Sequence, residues 1–226
     1  MQNVLTPEIR QELIKRGFSR RAFGKFAAMI TAGASLPFYN EAALAQGLSA
    51  VRGLPPDAVR INANENPLGP CPEAAEAIFG VVRKGGRYLY EETFSFSKLQ
   101  GELEGLKPSY VLPYAGSSAP LHQAVMAFTS ASHPLVIGDP GYEAAERAAK
   151  FVGANVVRVP LTKDTYAHDV KAMVKAATSP GLFYICTPNN PTGTLTPRAD
   201  IEWLLNNKPA GSVLLLDEAY LHLSGA

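Results

Sequence analysis

The sequence predicts an α/β fold, with a mostly parallel sheet and helices on both faces of it. Three observations predict this fold: short apolar runs alternate with stretches of helical length, turn-forming residues separate them, and polar residues follow directly after the apolar runs. Strands that alternate with helices form βαβ units, and such units build parallel sheets. Of the 226 residues, 46% are hydrophobic, which is enough for a sizeable core.

Two helices are predicted before this alternation begins. The first spans residues 72–84, because Pro72 suits a first helical turn and Gly85-Gly86 suits a helix end. The second spans residues 95–106, where leucines recur at the spacing of one helix face.

The alternation runs from residue 111 towards the C-terminus. The predicted strands are residues 111–114, 135–137, 155–159, 182–186 and 213–216. The predicted helices are residues 120–129, 142–152, 168–177 and 197–206. Thr196 is expected to cap the last of these helices, with Pro197 as its first residue.

The first 45 residues predict an export signal. The pair Arg20-Arg21, with Phe and Lys shortly after it, resembles a twin-arginine signal, and a weakly apolar run and the cleavage pattern Ala43-Leu44-Ala45 follow. We expect cleavage after Ala45 and a periplasmic or otherwise exported protein. The apolar run has no polar face, which argues against an amphipathic helix of the domain, and Pro37 interrupts it, which argues against a membrane span.

Composition excludes several functional classes. The formal net charge is +1, which leaves no basic surface to neutralise the phosphates of a nucleic acid. The two cysteines, Cys71 and Cys186, are too far apart in sequence for a CxxC metal site, and the four histidines show no metal-ligand spacing. No metal site is therefore predicted.

Polar loops follow four of the predicted strands. They are Gly116-Ser117-Ser118, Asp139 to Tyr142, Thr187 to Gly193, and Asp217 to Tyr220. Ligands of parallel α/β sheets bind beyond the carboxyl ends of the strands. The four loops are therefore expected to converge on one ligand site.

Three of these loops contain residues with a distinct chemical use. Ser117 and Ser118 lie at a helix start, where free backbone N–H groups and hydroxyls can hold a phosphate, although a plain N-cap serine has the same pattern. A cis bond before Pro191 would aim the Asn190 amide into the site, although a simple turn is the alternative. Asp217, directly after an apolar run, needs a cationic partner to stay ionised, or else caps a following helix.

Taken together, these segments resemble a known family. The stretches NANENPLGP, DPGYEAAERAAK, TPNNPTGT and LLDEAY, in this order, resemble the fold-type-I pyridoxal-phosphate aminotransferases, and most of all their histidinol-phosphate aminotransferase group. The resemblance runs from about Asn62 to Tyr220. It implies pyridoxal 5′-phosphate as cofactor, an N-terminal arm and small-domain segment over residues 46–90, and a partial cofactor-binding large domain over residues 91–226.

The resemblance assigns roles around the cofactor ring. Tyr142 would stack on the pyridine ring, and Asn190 and Tyr220 would hydrogen-bond its phenolic oxygen. Asp217 would pair with the protonated ring nitrogen and so keep the ring an electron sink.

The resemblance also assigns the phosphate contacts. Ser117 and Ser118 would hold the cofactor phosphate, and Tyr88 would reach the phosphate of the neighbouring subunit in the family's homodimer. An ordinary core aromatic is the alternative for Tyr88. The phosphate loop reads Gly-Ser-Ser-Ala where the histidinol-phosphate group usually has an acidic pair, so the substrate is left open.

The family's Schiff-base lysine should lie beyond the Asp-x-x-Tyr motif, and here no lysine follows Lys208. The family's arginine for the substrate carboxylate is also absent. We therefore expect the N-terminal portion of an aminotransferase, inactive by itself, from a protein that transfers an amino group between an amino acid or amine phosphate and a 2-oxo acid.

Two other functions stay open. One is a non-catalytic protein that binds pyridoxal phosphate without turnover, and the other is a related pyridoxal-phosphate lyase or decarboxylase. A dinucleotide-binding enzyme is disfavoured because no GxGxxG follows any predicted strand.

Overall fold

The computed structural model describes residues 63–225 and the isolated residues 11, 14, 15, 55, 58, 59 and 61. The chain divides into two compact units, one of which is Gly47–Ala115, while the other contains Gly116–Ala226. Residues 11, 14 and 15 are the described part of the predicted export signal. Its cleavage position lies outside the described residues. Within the described ranges, no helix has the length and hydropathy needed to cross a membrane.

The smaller unit contains helices α1 (Pro72–Val82) and α2 (Tyr90–Glu104) and a 3₁₀ helix at Pro108–Tyr110. Pro72 opens α1 as predicted, and Gly105, with φ of +66°, ends α2 in the left-handed conformation that glycine adopts without a steric penalty. The second helix begins five residues earlier than predicted, at Tyr90 instead of residue 95.

One predicted strand is wrong. Residues 111–114 follow the 3₁₀ helix as irregular chain, and Leu112 and Tyr114 are exposed there. The segment belongs to the smaller unit, whose described part contains no strand that it could pair with. Ser117 and Ser118 therefore follow an irregular segment and not a strand.

The larger unit contains a parallel four-stranded sheet in the order β2-β1-β3-β4. Its strands are β1 (Leu135–Asp139), β2 (Val156–Pro160), β3 (Leu182–Cys186) and β4 (Val213–Asp217). Three of them were predicted to within a residue at each end, β1 extends two residues beyond its predicted end, and the predicted fold class is confirmed. The central strand β3 is buried throughout, as its continuous apolar run requires, whereas the edge strand β4 is half-buried.

Helices cover both faces of this sheet. They are α3 (Ser118–Phe128), α4 (Ala144–Val152), α5 (Val170–Lys175) and α6 (Arg198–Asn207). Alternate strand residues point to opposite faces, so Leu182 and Tyr184 pack with α3 and α4 while Phe183 and Ile185 pack with α5 and α6. Two apolar cores result, one on each face.

The predicted cap of α6 is wrong. Pro197, not Thr196, occupies the N-cap position, and it provides no side-chain hydrogen bond. The Thr196 hydroxyl lies 2.9 Å from Nδ1 of the buried His168, and the Thr196 backbone N–H donates to the Thr187 hydroxyl. A tertiary partner therefore takes the hydroxyl that sequence alone would assign to the helix end.

His168 makes the stability of the larger unit depend on pH. The side chain is 4% exposed, and burial lowers its pKa from 6.5 to about 4. Neutral His168 is therefore favoured in the folded state, so its contribution is complete above pH 6.5 and is lost as the pH falls from 6.5 to about 4. We expect a loss on the order of 3 kcal/mol over this window.

Urea unfolding at pH 7 and pH 4 measures this loss. In His168→Asn the amide can still reach Thr196 but does not titrate, so the variant should lose less stability between these pH values than the wild type. Equal losses in the two proteins would show that groups other than His168 set the acid sensitivity.

Candidate functional site

The strand order places a topological switch point at the carboxyl edge of the sheet, between the loops that follow β1 and β3, and we call this region the crevice. The chain leaves β1 towards α4 on one face and leaves β3 towards α6 on the other, and the two strands are neighbours. Such a divergence is the place where open α/β sheets bind ligands. Register places Cys186 of β3 beside Asp217 of β4 at this same edge.

Asn189 connects the two loops across the crevice. Its side-chain amide donates to the Pro140 carbonyl oxygen at 3.2 Å and to the Thr192 hydroxyl at 2.9 Å. The residue is 2% exposed, and its Oδ1 has no hydrogen-bond partner among the described residues. This side chain holds the loop that presents Asn190, the predicted ligand of the cofactor's phenolic oxygen.

The Asn190 side chain is half-buried and makes no hydrogen bond to the other described residues. The Asn190–Pro191 bond is cis, which was the condition set for aiming the amide into the site. The Cys186 thiol donates to the Pro188 carbonyl oxygen at 3.3 Å in the same loop, and burial raises the pKa of this thiol.

The start of α3 lies towards the same edge. Its last residue, Phe128, packs against Gly181 just before β3, at the amino edge of the sheet. Because 11 helical residues span about 16 Å, Ser118 lies towards the carboxyl edge. Gly116 has φ of +90°, and the Ser117 side chain does not cap the helix. Pro120 has no N–H and the Leu121 N–H donates to the Ser117 carbonyl oxygen, so the N–H groups of Ser118 and Ala119 are the ones that the other described residues leave for an external acceptor.

Asp217 ends β4 with both carboxylate oxygens hydrogen-bonded. Oδ2 accepts from the Tyr184 hydroxyl at 2.9 Å, and Oδ1 accepts from the Ala219 backbone N–H at 3.1 Å. The Ala219 bond belongs to a turn, and the chain then enters a short 3₁₀ helix at Leu221–Leu223. Each oxygen keeps a further lone pair, so the carboxylate can accept from a cationic donor as well.

Tyr142 and Tyr220 belong to the same neighbourhood. Tyr142 is half-buried against the core that includes Tyr184 and Leu215. Burial raises the pKa of the Tyr142 phenol, the negative charge of Glu143 raises it further, Arg147 lowers it, and Asp217 and Tyr220 have smaller raising effects. Tyr142 follows β1, and Tyr220 follows Asp217 at the end of β4, so all three residues lie at the carboxyl edge of the sheet.

Tyr184 is the site residue that the sequence did not reveal. It is 2% exposed in the core, and burial together with the Asp217 carboxylate raises the pKa of its phenol. The only local signal is a hydroxyl-bearing residue in the middle of an otherwise apolar strand. Its partner lies 33 residues away, so strand register was needed to find it.

Tyr88 belongs to the smaller unit. It is 86% exposed and stacks on Tyr90, with ring centroids 5.5 Å apart. The alternative that Tyr88 is a core aromatic is therefore wrong, and its contact with a neighbouring subunit stays a prediction.

A cavity of about 370 Å³ lies at the opposite, amino edge of the sheet and is separate from this crevice. Its lining includes Phe128, His133, Gly181 and Gly211, which precede the strands or end α3.

The fold and the crevice define an α/β domain with three features at one sheet edge. They are the uncapped start of α3, the Tyr142 ring, and the hydrogen-bonded carboxylate of Asp217. Residues 56–226 match the family described as aminotransferase class I and II, and the chain belongs to this family. The predicted family is thus confirmed.

Three relatives illustrate the match. Histidinol-phosphate aminotransferase 1 of Nitrosococcus oceani is 35% identical over 72% of this chain and 44% of its own length. An aromatic amino acid aminotransferase of Cutibacterium acnes is 34% identical over 77% of this chain and 52% of its own. The crystal structure of histidinol-phosphate aminotransferase from Sinorhizobium meliloti in complex with pyridoxal-5′-phosphate has a TM-score of 0.66 and 28% identity, over 73% of this chain and 45% of that one.

The chain spans about half the length of the curated relatives it matches. The predicted cofactor is confirmed at the level of the family, since the Sinorhizobium relative is a complex with pyridoxal 5′-phosphate.

Proposed function

We propose that this chain provides the cofactor-binding part of an aminotransferase that moves an amino group between an amino acid or amine phosphate and a 2-oxo acid. The single observation that carries the proposal is the position of Asp217, a carboxylate at the end of β4 that accepts a hydrogen bond from Tyr184 and lies at the same edge of the sheet as Tyr142. When bound, pyridoxal phosphate supplies an electron sink for the carbanion formed at the substrate's α-carbon.

The residues at the crevice fit this cofactor. The uncapped first turn of α3 offers backbone N–H groups, and Ser117 and Ser118 offer hydroxyls, to a phosphate at the positive end of the helix dipole. The half-buried Tyr142 ring offers an apolar surface for stacking, and Asn190 offers an amide that the other described residues do not use.

Asp217 would hold the proton on the ring nitrogen. A carboxylate next to a pyridine nitrogen favours the protonated ring, because opposite charges stabilise each other where little water screens them. The half-buried position of Asp217 provides such a place.

No lysine follows Lys208 in the 226 residues. We therefore propose that this chain alone binds the cofactor without a covalent bond to its aldehyde carbon, and that it does not catalyse transamination. Pyridoxine 5′-phosphate, which has an alcohol in place of the aldehyde, is the matched probe for this proposal. The chain should bind it about as tightly as pyridoxal 5′-phosphate.

Equilibrium dialysis of the 226-residue chain tests the proposal. We expect saturable binding of both phosphorylated probes and at least about 10-fold weaker binding of pyridoxal, which lacks the phosphate. We expect no amino transfer from amino acids to 2-oxoglutarate. Absence of saturable binding would refute the proposed function, and turnover would refute the proposal that the chain alone is inactive.

The substrate group is proposed from the relatives. Similar identities to a histidinol-phosphate and to an aromatic amino acid aminotransferase favour an amino donor with a ring-bearing side chain. The exposed Tyr88 supports the family's homodimer as the assembly of the full-length protein.

Export is proposed from the sequence of residues 1–45. If it occurs by the twin-arginine route, expression in a Gram-negative bacterium should yield a periplasmic product that begins at Gln46. The double substitution Arg20→Lys and Arg21→Lys should keep the protein in the cytoplasm, and a product with an intact N-terminus in both cases would contradict the proposal.

A further inference from the structure

We propose that Tyr184 is the positioning residue for Asp217: its buried hydroxyl fixes the carboxylate in the orientation that a protonated ring nitrogen requires. The inference rests on the proposed function and adds to it a residue of the apolar core. Tyr184 itself would not touch the cofactor.

Strand register brings the two side chains together. Tyr184 of β3 pairs with Leu215 of β4, and Asp217 lies two residues further along the same strand, so both side chains are on the α3–α4 face. The Tyr184 ring therefore extends along β3, past Cys186, and its hydroxyl reaches Oδ2 at 2.9 Å.

Tyr184 is suited to be a permanent donor. Burial and the negative charge of Asp217 both raise the pKa of the phenol, so it keeps its proton throughout the neutral pH range. The hydroxyl is enclosed by core residues, which leaves Asp217 as the acceptor that satisfies it.

The Tyr184 bond and the Ala219 bond together restrict the rotation of the carboxylate. Each oxygen has one donor from the protein, one on β3 and one in the turn after β4. Without the hydroxyl, Oδ2 would face apolar core and the carboxylate would rotate towards water, because an unsatisfied buried acceptor is unfavourable.

Tyr184→Phe tests the inference, because it keeps the ring in the core and removes only the hydroxyl. Two ligands separate positioning from packing: pyridoxal 5′-phosphate and its 1-deaza analogue, in which carbon replaces the ring nitrogen. We expect the dissociation constant of the nitrogen-containing ligand to rise about 10-fold in the variant, and that of the deaza ligand to change by less than about 2-fold.

A spectroscopic readout on the full chain accompanies the affinities. With ring-¹⁵N pyridoxal 5′-phosphate bound, the nitrogen resonance reports protonation directly. In Tyr184→Phe it should move to the unprotonated position at a lower pH than in the wild type. A residue that only supports packing would not shift this titration.

Tyr166→Phe is the matched control, since Tyr166 is exposed in the same unit and contacts Thr194 after β3 through its backbone carbonyl, which the substitution keeps. It should leave both affinities unchanged. If Tyr184→Phe does not fold, Tyr184→Met provides a flexible apolar side chain without a donor.

The outcomes separate the two proposals. If the wild type fails to bind pyridoxal phosphate, the proposed function is wrong and the inference falls with it. If the wild type binds, equal losses for both ligands in the Tyr184 variant, or no loss for either, would overturn the positioning role alone.

Discussion

Asp217→Asn is expected to weaken binding of pyridoxal 5′-phosphate to the 226-residue chain by about 10- to 100-fold. A hydrogen bond between charged groups contributes about 1.5–3 kcal/mol, and the asparagine amide cannot provide the negative charge that holds a proton on the ring nitrogen. The loss should vanish for the 1-deaza analogue, which has no nitrogen to protonate. Isothermal titration calorimetry with both ligands measures it.

The control for this substitution is Asp164→Asn, at an exposed aspartate on the loop after β2. It removes the same charge from the larger unit at a position outside the crevice, so the affinity should be unchanged. A similar loss in both variants would mean that net charge matters and that the position of Asp217 does not. In that case the ring-nitrogen assignment should be abandoned.

Gly181→Ala is expected to destabilise the larger unit by about 3 kcal/mol or more. A Cβ at Gly181 would clash with the Phe128 carbonyl oxygen and would lie 3.0 Å from that of His133. Both are backbone atoms that cannot move away as a flexible side-chain end would, and Gly181 itself is held by β3 and by the bond from its N–H to Pro134. A loss of this size is a large part of the stability of an ordinary domain.

Urea denaturation followed by circular dichroism measures the Gly181 effect. Gly80→Ala on α1 is the control, because a Cβ there meets no atom within 4 Å and a helix interior favours alanine by about 0.5–1 kcal/mol. A Gly181 variant as stable as the wild type would show that α3 can withdraw from the sheet edge without loss.

The local pattern of apolar residues predicted those strands of the sheet that are covered on both faces. The runs at residues 182–186 and 213–216 are continuous and apolar, and a short continuous apolar run between turn residues suits a strand covered on both faces. The same criterion failed at residues 111–114, because an apolar run becomes a strand only when a neighbour is available to pair with it. The smaller unit offers none in its described part.

Polar side chains were likewise predicted where local position decides their role, and were misassigned where a distant residue decides it. Asp217, Tyr142 and Asn190 could be selected from sequence because each follows an apolar run at the edge where ligands bind. Thr196 was misassigned because His168, 28 residues away, takes its hydroxyl. The hydrogen-bond partner of a polar side chain cannot be assigned from its sequence neighbours alone, because a residue far away in the chain can take the same hydrogen bond.

The sequence by itself determined the fold class and the family, and it selected candidate residues for the carboxyl edge of the sheet, because apolar periodicity and loop chemistry are local properties. Only the tertiary structure decided that Tyr184 supports Asp217, that Asn189 joins two loops, and that Tyr88 is exposed. These contacts depend on strand register and on which face each side chain occupies, and both are set by packing between segments far apart in the chain.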